Sequence, residues 1–592
     1  MQGSVCSQAR PARWLTNGVA GLLLVAAAVS LVLTVYALNT VWPALPSGDI
    51  LGADYIDDML LAREGVLRLD GLWVLHNGVH CVALPKLVFW LDTWMTGGQG
   101  HLTLWCAAFL QLLVALLWVR CIARFPLTRS ERVMLSALAL LMLTSMVQAE
   151  TLLDPINIQW AFLALGTTLT GMGLQQEWRY RRGVILVGVI MSGLSGGPLL
   201  IIALALLMTI GFSTPGLHAH AQRALKGLLI LAGLICVQEL IRLQFFERQQ
   251  SLLLYLYRTL LSWEFPPEMM AALLENPWVL YGRWGLANTF FVSQFLSPPL
   301  DKVLPAIVAV VPTALLLAYM ARVLWRLPSH RPMRSMLLYV AVFVVLLGVA
   351  AGLIRSYSPF AYTGRFANMG LLFVLAMTCL GYLHGSARWR VVVMALTVPY
   401  ALLMVWAAYQ QAGRVVITNS QTVLSQIAYA VGSDDTTAIV QSPGFYWQDE
   451  NARVIREHRS AMKAAPIGIF ASPDYRTYSG ERALPARQAT CLVDVQWGEV
   501  HATDPLAWRI SGTAVDDRGQ PLRHVLLQTE TGEPIGFGVA SQHVGKVFMQ
   551  WQMQAYWSGH WKSAAPVQRV RIIAWNDRQQ CAPVWWEVPA TQ

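Results

Sequence analysis

The chain has 592 residues, of which 55% are hydrophobic and only 13% carry a charge, with a formal net charge of +10. A soluble protein of this size has too much surface to be covered by so few charged side chains, so the composition excludes a wholly soluble chain. The positive charge needs no nucleic-acid partner, because much of it lies in short loops between apolar segments. We therefore expect the lipid bilayer, and no nucleic acid, as a partner.

The apolar residues are grouped in windows of membrane-spanning length, since about 20 such residues cross a bilayer as a helix. The first window is interpreted as a retained anchor, because its apolar run is longer than that of a typical signal peptide. The stretch 183–211 is too long for one span and is broken at residues 195–198, which indicates two short helices. Together with the two helices of 183–211, nine single windows give eleven predicted spans. These windows are 17–39 (the first), 101–120, 132–148, 158–174, 226–241, 303–324, 336–354, 366–383 and 390–409.

Basic residues in the short loops predict the orientation. With eleven spans and the N-terminus inside, every cluster of Arg and Lys falls on the inner side, and the C-terminus falls outside. The clusters are Arg10 and Arg13; Arg120, Arg124, Arg129 and Arg132; Arg179, Arg181 and Arg182; Arg223 and Lys226; Arg322, Arg326, Arg331 and Arg334; and Arg388 and Arg390.

Three regions follow from these patterns. Residues 1–411 form the membrane part, with long outside loops at about 40–100 and 243–302. Residues 412–488 are a mixed linker region with a helix expected around 449–462. Residues 489–592 read as short alternating strands separated by turn residues, which favours an antiparallel β-sandwich. The fold class is thus a polytopic α-helical membrane protein with a C-terminal soluble α/β region that ends in a β-sandwich.

Two features of the C-terminal region bear on its environment and its binding. Cys491 and Cys581 are its only cysteines and could pair in an oxidising compartment, although their spacing does not prove it. Its tryptophans could bind a glycan or could simply pack in the core. The five candidates among them are Trp551, Trp557, Trp561, Trp585 and Trp586.

The first outside loop concentrates acids at one membrane face. From Tyr55 to Leu69 the apolar residues recur at near-helical spacing, which predicts an amphipathic helix along the membrane surface. Asp54 would sit at its N-terminus. Such an acid could be a helix cap, with Asp57 and Asp58 on a solvated face, or it could serve chemistry.

Here the sequence resembles the GT-C-fold membrane glycosyltransferases. Asp54 followed by Ala62-Arg63-Glu64 is similar to the first periplasmic loop of that family, which carries an Asp-Glu pair before a helix ending in A-R-E; this chain has Tyr55 at the Glu position. Further segments resemble bacterial GT-C-like proteins, although Cys81 and Val79 replace their usual Arg and Glu. These segments are HNGVHCVALPKLVFWLD (76–92), ETLLDPINIQWAFLAL (150–165), MSGLSGGPLL (191–200) and GRFANMGLLFVLA (364–376).

The resemblance implies transfer of a sugar from a polyprenyl-phosphate-linked donor to a glycan, lipid or protein acceptor. The enzyme would lie in the bacterial inner membrane, with its N-terminus cytoplasmic and its C-terminal domain periplasmic. A carboxylate at the membrane surface would act as general base on the acceptor hydroxyl in one inverting step. Asp54 is the first candidate, and Asp57 and Asp58 are the next.

The leaving phosphate needs positive charge beside it, for which the outside-facing arginines Arg365, Arg355, Arg283 and Arg258 are candidates. The alternatives are interfacial snorkelling for the first two and solvated loop charges for the others. Glu150 and Asp154 are candidate secondary acids, with a divalent metal (Mg or Mn) or without one, or they are solvated loop acids. His76, His80, Lys86 and Tyr362 are candidates for lining the site.

Two other functions are open at the level of sequence. An O-antigen polymerase or ligase would share the many spans and essential arginines, but it does not usually carry the acidic first loop or a C-terminal sandwich. A non-enzymatic transporter or flippase would need more polar groups at mid-membrane depth than these spans offer. The sequence also lacks a Walker A, HExxH or GxSxG motif in a supporting context, which argues against a nucleotide-driven pump and common hydrolases.

Overall fold

The computed structural model of the chain contains a helical bundle and a C-terminal sheet. It describes residues 13–40, 59–69, 72, 75–76, 80–149, 152, 157–175, 180–196, 199–213, 333–354, 367–384, 387–435, 457–501, 503–520, 522–540, 556–576 and 578–589. The bundle helices are mostly apolar, because in lipid each backbone N–H must pair within its own helix. They are α1 (Arg13–Thr40), α2 (Ala83–Thr96), α3 (His101–Ala123), α4 (Arg129–Leu143), α5 (Ile158–Gln175), α6 (Arg181–Gly193), α7 (Leu199–Ser213), α8 (Met333–Ile354), α9 (Ala367–His384) and α10 (Ala387–Val431).

One end of the bundle gathers basic residues around a buried carboxylate. Glu131, in the capping box that begins α4, accepts a hydrogen bond from the Tyr382 hydroxyl at 3.0 Å and lies 4.0 Å from Arg390. Ser130 beside it donates to Asn17 at the start of α1. We call this the arginine end, because the arginines that flank three interhelical connections lie there: Arg120, Arg124, Arg129, Arg132, Arg181, Arg182, Arg388 and Arg390.

The opposite end, which we call the loop end, is marked by contacts between the other ends of the same helices. The Thr34 hydroxyl of α1 donates to the Thr144 carbonyl just after α4, at 2.9 Å. The Asn368 amide at the start of α9 donates to the Trp160 carbonyl near the start of α5, at 3.0 Å. Helices α1 and α4 therefore run from the arginine end to the loop end, and α5 and α9 run in the opposite direction.

Small residues allow α5 and α6 to pack closely, a common means of helix association in membranes. A Cβ placed on Gly166 would lie 2.4 Å from Ser192 Oγ, and one on Gly188 would lie 2.4 Å from Thr170 Oγ1. Nearer the arginine end, a Cβ on Gly173 would lie 2.5 Å from the Ile185 side chain. The antiparallel pair brings residues 157–160 and 194–196 together at the loop end.

Four described helical segments are long and apolar enough to cross a membrane: Trp14–Asn39, His101–Ala123, Arg129–Gln148 and Arg388–Ala412. Shorter apolar helices lie at Ile201–Ile210, Ser335–Gly348 and Ala367–Leu383. The break expected at residues 195–198 separates α6 from α7, as the sequence predicts. The windows 226–241 and 303–324 lie outside the described residues, so the count of eleven spans stays a prediction.

Helix α10 joins the bundle to the C-terminal region without interruption. Its 45 residues extend for about 67 Å, roughly twice the thickness of a hydrocarbon core. The part near Met404 is packed in the bundle, whereas Ile427 and Tyr429 are buried against the C-terminal region. The domain boundary predicted at residue 411 lies inside this helix. A second helix is expected around 449–462, and the structure describes a helix at residues 457–464.

The C-terminal strands form one sheet, which corrects the expected sandwich of two sheets. After the two short strands β1 (Leu75–His76) and β2 (His80–Cys81) of the first loop, the strands are β3 (Gln488–Ala489), β4 (Leu492–Val500), β5 (Ala507–Val515), β6 (His524–Gln528), β7 (Pro534–Ala540), β8 (Tyr556–Lys562), β9 (Arg569–Trp575), β10 (Gln580–Cys581) and β11 (Val584–Glu587). The order in the C-terminal sheet is β3-β10-β9-β6-β7-β8-β5-β4, with β11 also paired to β9, and only β3 and β10 are parallel. The sheet curls into a half-barrel, so that the Trp586 ring of β11 packs on Gly498 of β4. Alternation along a strand shows which face is buried but not whether the strands divide into two sheets.

The candidate glycan-binding tryptophans differ in how far the curled sheet buries them. Trp557 and Trp561 are fully buried in the half-barrel core, where no glycan can reach them. Trp586 is partly buried, Trp585 is 42% exposed, and Trp551 lies outside the described residues. Core packing is therefore the role of Trp557 and Trp561.

A hydrogen-bonded chain of buried side chains fastens the end of α10 to the half-barrel. Ser433 Oγ lies 2.7 Å from His501 Nδ1, and His501 Nε2 lies 2.8 Å from His560 Nδ1. Beside them, the Lys562 ammonium lies 2.9 Å from the Asp504 carboxylate. Burial disfavours the charged forms of both side chains and by itself would raise the pKa of Asp504. The hydrogen bonds from the Asp434 N–H and the Lys562 ammonium outweigh this effect and hold the pKa of Asp504 below its usual value.

The histidine pair predicts a pH dependence. Burial lowers the pKa of both His501 and His560, and for His560 the adjoining His501 and Arg509 lower it further. The unfolded chain takes up these protons below about pH 6.5, whereas the folded chain does not. The free energy of unfolding should therefore fall as the pH drops from about 6.5 through the folded-state pKa values, by up to about 1.4 kcal/mol per pH unit for each proton. Thermal unfolding of the full-length protein in nanodiscs between pH 7.5 and 5.5 measures this pH dependence of stability. His560→Asn should flatten the pH dependence, and equal slopes for the two proteins would contradict the assignment.

Cys491 and Cys581 are joined by a disulfide that closes a loop of 90 residues and ties the segment before β4 to β10. Cross-linking a loop of this length restricts the unfolded chain, which stabilises the fold by about 2–5 kcal/mol. Cys491→Ser should thus lower the midpoint of thermal unfolding of the C-terminal region, read by tryptophan fluorescence. Cys106→Ser, which removes a free thiol, is the control. Unchanged midpoints for both variants would show that the cross-link adds no stability.

Candidate functional site

The acid-bearing loop enters the described structure at Met59, one residue after Asp58. Residues 59–63 are helical, but the helix expected to reach Leu69 ends there. Gly65, at φ +82°, follows it, and the Val66 N–H bonds to the Leu61 carbonyl at 2.9 Å, a pattern that terminates helices. A glycine in the left-handed conformation thus overrides the apolar periodicity. Asp54, Asp57 and Asp58 lie outside the described residues.

The A-R-E residues hold the loop against α2. The Arg63 guanidinium donates to the Trp94 carbonyl at 3.4 Å, and the Trp90 indole donates to the Val66 carbonyl at 3.0 Å. Glu64 is exposed. Arg63 therefore has a structural role in this arrangement.

Three of the four candidate lining residues, His76, His80 and Lys86, lie on the same loop. His76 and His80 are register partners in a two-stranded antiparallel ladder of β1 (Leu75–His76) and β2 (His80–Cys81). Lys86 is in the first turn of α2 and is half-buried. The ladder and the helix together form a short, ordered unit at the loop end.

Three segments that carry the family resemblance meet at the loop end. The Gly196 N–H donates to the Cys81 carbonyl at 2.7 Å, and the Leu84 N–H donates to the Leu194 carbonyl at 3.1 Å. A Cβ on Gly196 would lie 2.9 Å from Gln159 Oε1 and 3.8 Å from the Val82 side chain. Residues 81–84, 159 and 194–196 are therefore in direct contact, although they are far apart in the sequence.

A fourth segment joins this group through Asn368, whose amide donates to the Trp160 carbonyl. Asn368, Gln159, Asn157 and Ser195 are all buried, although their side chains are polar. Within the described residues, Asn368 Oδ1 and Ser195 Oγ have no hydrogen-bond partner. Buried polar atoms normally have partners, so these two atoms stand out among the buried polar groups of the loop end.

Asp92 is a buried acid of this region that the sequence reasoning missed. Its carboxylate accepts hydrogen bonds from the N–H groups of Gly100 at 2.6 Å and Leu102 at 2.8 Å, which caps the start of α3. The Thr96 hydroxyl adds a third bond at 3.2 Å. Burial raises the pKa of Asp92, and these hydrogen bonds act against that increase. The signal for this role in the sequence is an acidic residue within an apolar helix, eight residues before Gly100.

The C-terminal region lies directly on this loop. The Gly468 N–H donates to the Gly97 carbonyl at 2.6 Å, and the Gln99 side chain donates to the Ala471 carbonyl at 2.9 Å. Met59 is buried in the same apolar cluster as Phe470 of the C-terminal region. Met59 and the turn at residues 97–99 are thus in contact with the C-terminal region.

The remaining predicted site residues fall outside the described structure: Arg258, Arg283, Arg355, Arg365, Tyr362, Glu150 and Asp154. The same holds for the loop 243–302. Across the described ranges no group of three or more His, Cys, Asp or Glu side chains is arranged to hold a metal ion. The described site therefore consists of hydrogen-bonding side chains, one lysine and the flanks of the acidic segment.

Asp92→Asn should destabilise the loop end. An amide has one acceptor oxygen, so one of the two capping N–H groups loses its partner, which costs about 1–3 kcal/mol. Hydrogen exchange of the backbone amides at residues 100–104 in the full-length protein should become faster. Asp494→Asn, at an exposed strand position, is the matched control. Equal exchange at residues 100–104 in wild type and Asp92→Asn would rule out the capping role.

Comparison of the chain with protein-family models, with curated proteins and with solved structures finds no significant match.

Proposed function

We propose that the protein is a membrane glycosyltransferase of the GT-C type that acts at the loop end. The observation that carries the proposal is the convergence of residues 81–84, 159–160, 194–196 and 368 beside the acid-bearing loop. The convergence brings together the segments that resemble the family, and it does so at the same end as the loop with the candidate base.

The distribution of charge supports the orientation of this proposal. Eight arginines of the described bundle lie at the arginine end, and cytoplasmic loops of inner-membrane proteins are enriched in such residues. The loop end and the half-barrel are then periplasmic, where a disulfide such as Cys491–Cys581 persists. A bacterial inner membrane fits both features.

The donor and the acceptor would meet at the membrane surface. The polyprenyl tail of the donor would stay in the lipid. Lys86 supplies positive charge within the described loop, while Arg365, Arg355, Arg283 and Arg258 stay candidates for the donor phosphate.

In the proposed reaction, one carboxylate of the acidic segment removes the proton from the acceptor hydroxyl. The resulting oxygen attacks the anomeric carbon of the donor from the face opposite the phosphate. A new glycosidic bond forms as the bond to the phosphate oxygen breaks, and the lipid phosphate leaves with the electron pair. The configuration at the anomeric carbon is inverted. Asp54 is the first candidate for the base, followed by Asp57 and Asp58.

Asp54→Asn should reduce sugar transfer by about 10²- to 10⁴-fold, since the amide cannot accept the proton. Mass spectrometry of surface glycans from cells that lack the gene and express either variant or wild-type protein measures the effect. If Asp57→Asn or Asp58→Asn alone abolishes transfer, the base is that residue. Asp494→Asn in the half-barrel is the matched control. Unchanged glycans in all three loop variants, at normal expression, would remove the proposal.

A further inference from the structure

We propose that the turn between α3 and α4 binds the phosphate group of an anionic phospholipid through Arg120, Arg124 and Arg129. This surface belongs to the arginine end, so the inference is independent of the proposed sugar transfer. It specifies the headgroup chemistry of the lipid partner, which the apolar helices leave open.

The arginines of this turn differ in what they contact. The Arg132 guanidinium donates to the Leu127 carbonyl at 3.0 Å and to the Ala123 carbonyl at 3.1 Å, so it serves the end of α3 and the turn itself. Because Arg132 takes these carbonyls, the other arginines are not needed to complete the helix end. Three guanidinium groups of the turn are exposed and have no hydrogen-bond or ion-pair partner within the described residues: Arg120, Arg124 and Arg129.

No carboxylate of the described residues at this end neutralises those three charges. Glu131 is the one acid described there, and it is buried. Its oxygens accept hydrogen bonds from the Thr128 N–H at 2.7 Å and the Tyr382 hydroxyl at 3.0 Å, and Arg390 lies 4.0 Å away. Glu131 is thus already occupied. The uncompensated positive charge of the turn attracts anions from its surroundings.

Exposed aromatic side chains indicate that these surroundings are lipid headgroups. Trp14 is 76% exposed, Tyr180 62% and Trp389 43%. They lie at the starts of α1, α6 and α10, which are all at the arginine end. Tryptophan and tyrosine concentrate where the headgroups of a bilayer meet its acyl chains. The arginines therefore stand near the depth of the lipid phosphates, which favours a phospholipid over a nucleic acid as the occupant.

Guanidinium chemistry suits a phosphodiester and distinguishes between headgroups. A guanidinium presents paired N–H donors in one plane, which match two phosphate oxygens. Phosphatidylcholine carries a cation on the same headgroup, whereas phosphatidylglycerol keeps its negative charge. Each basic residue near an anionic lipid surface strengthens binding about fivefold, so three together should favour phosphatidylglycerol on the order of 100-fold at low salt.

The test offers the detergent-solubilised full-length protein equal amounts of phosphatidylglycerol and phosphatidylcholine and counts bound lipids by native mass spectrometry. The wild-type protein should retain phosphatidylglycerol preferentially. The turn variant, with Arg120→Gln, Arg124→Gln and Arg129→Gln, should lose at least about tenfold of that preference. A matched control removes three exposed arginines of the half-barrel and should keep the preference: Arg518→Gln, Arg523→Gln and Arg578→Gln. Equal preference in the two triple variants, or none in the wild type, would overturn the site.

A second measurement identifies the occupant in a bilayer. Adding phosphatidylglycerol to phosphatidylcholine nanodiscs should raise the midpoint of thermal unfolding of the wild-type protein but not that of the turn variant, since a ligand of the folded state stabilises it. A labelled single-stranded oligonucleotide should bind neither protein. Oligonucleotide binding that the turn variant loses, with no effect of phosphatidylglycerol on either midpoint, would assign the turn to a nucleic acid and refute the lipid site.

Discussion

The structure depends on one uninterrupted helix that belongs to two environments. Helix α10 is packed in the bundle over its first part and buried against the C-terminal region over its last turns. Because a helix transmits direction rigidly, the half-barrel cannot take an arbitrary place above the bundle. The buried chain of Ser433, His501 and His560 then fixes the half-barrel to the helix end.

The sequence predicts the fold where local pattern decides it and fails where pairing decides it. Membrane helices follow from apolar length, and the break at residues 195–198 follows from a Ser-Gly-Gly-Pro run. The strand β8 (Tyr556–Lys562) has a polar Ser-Gly-His centre, which is not typical of a buried strand; its residues are buried where it pairs with β5 and β7. The single sheet in place of a sandwich has the same cause. The end of the loop helix at Arg63 instead reflects one glycine, whose left-handed conformation stops a periodic pattern.

The candidate site shows the same division. The sequence identified the segments at 81–84, 159–160, 194–196 and 368, but not that backbone bonds such as Gly196 to Cys81 join them. It missed Asp92, whose role depends on the N–H groups of a following helix that comes back to it. It also missed the docking of residues 466–471, since nothing in a glycine-containing turn indicates which distant segment it contacts.

The buried polar groups of the loop end explain why the chemistry would lie beside the bundle rather than within it. Burying an amide such as Asn368 costs far less than burying a carboxylate without a partner, so uncharged side chains can line the described interior. The one acid described there, Asp92, is fully engaged by two N–H groups and a hydroxyl. A general base must be free to take up a proton from the substrate and to release it to water afterwards. That requirement favours a carboxylate on a loop at the membrane surface, and such a loop needs an external contact to hold its position. The C-terminal region contacts the described end of that loop at Met59, which shares a buried cluster with Ile427 and Phe470.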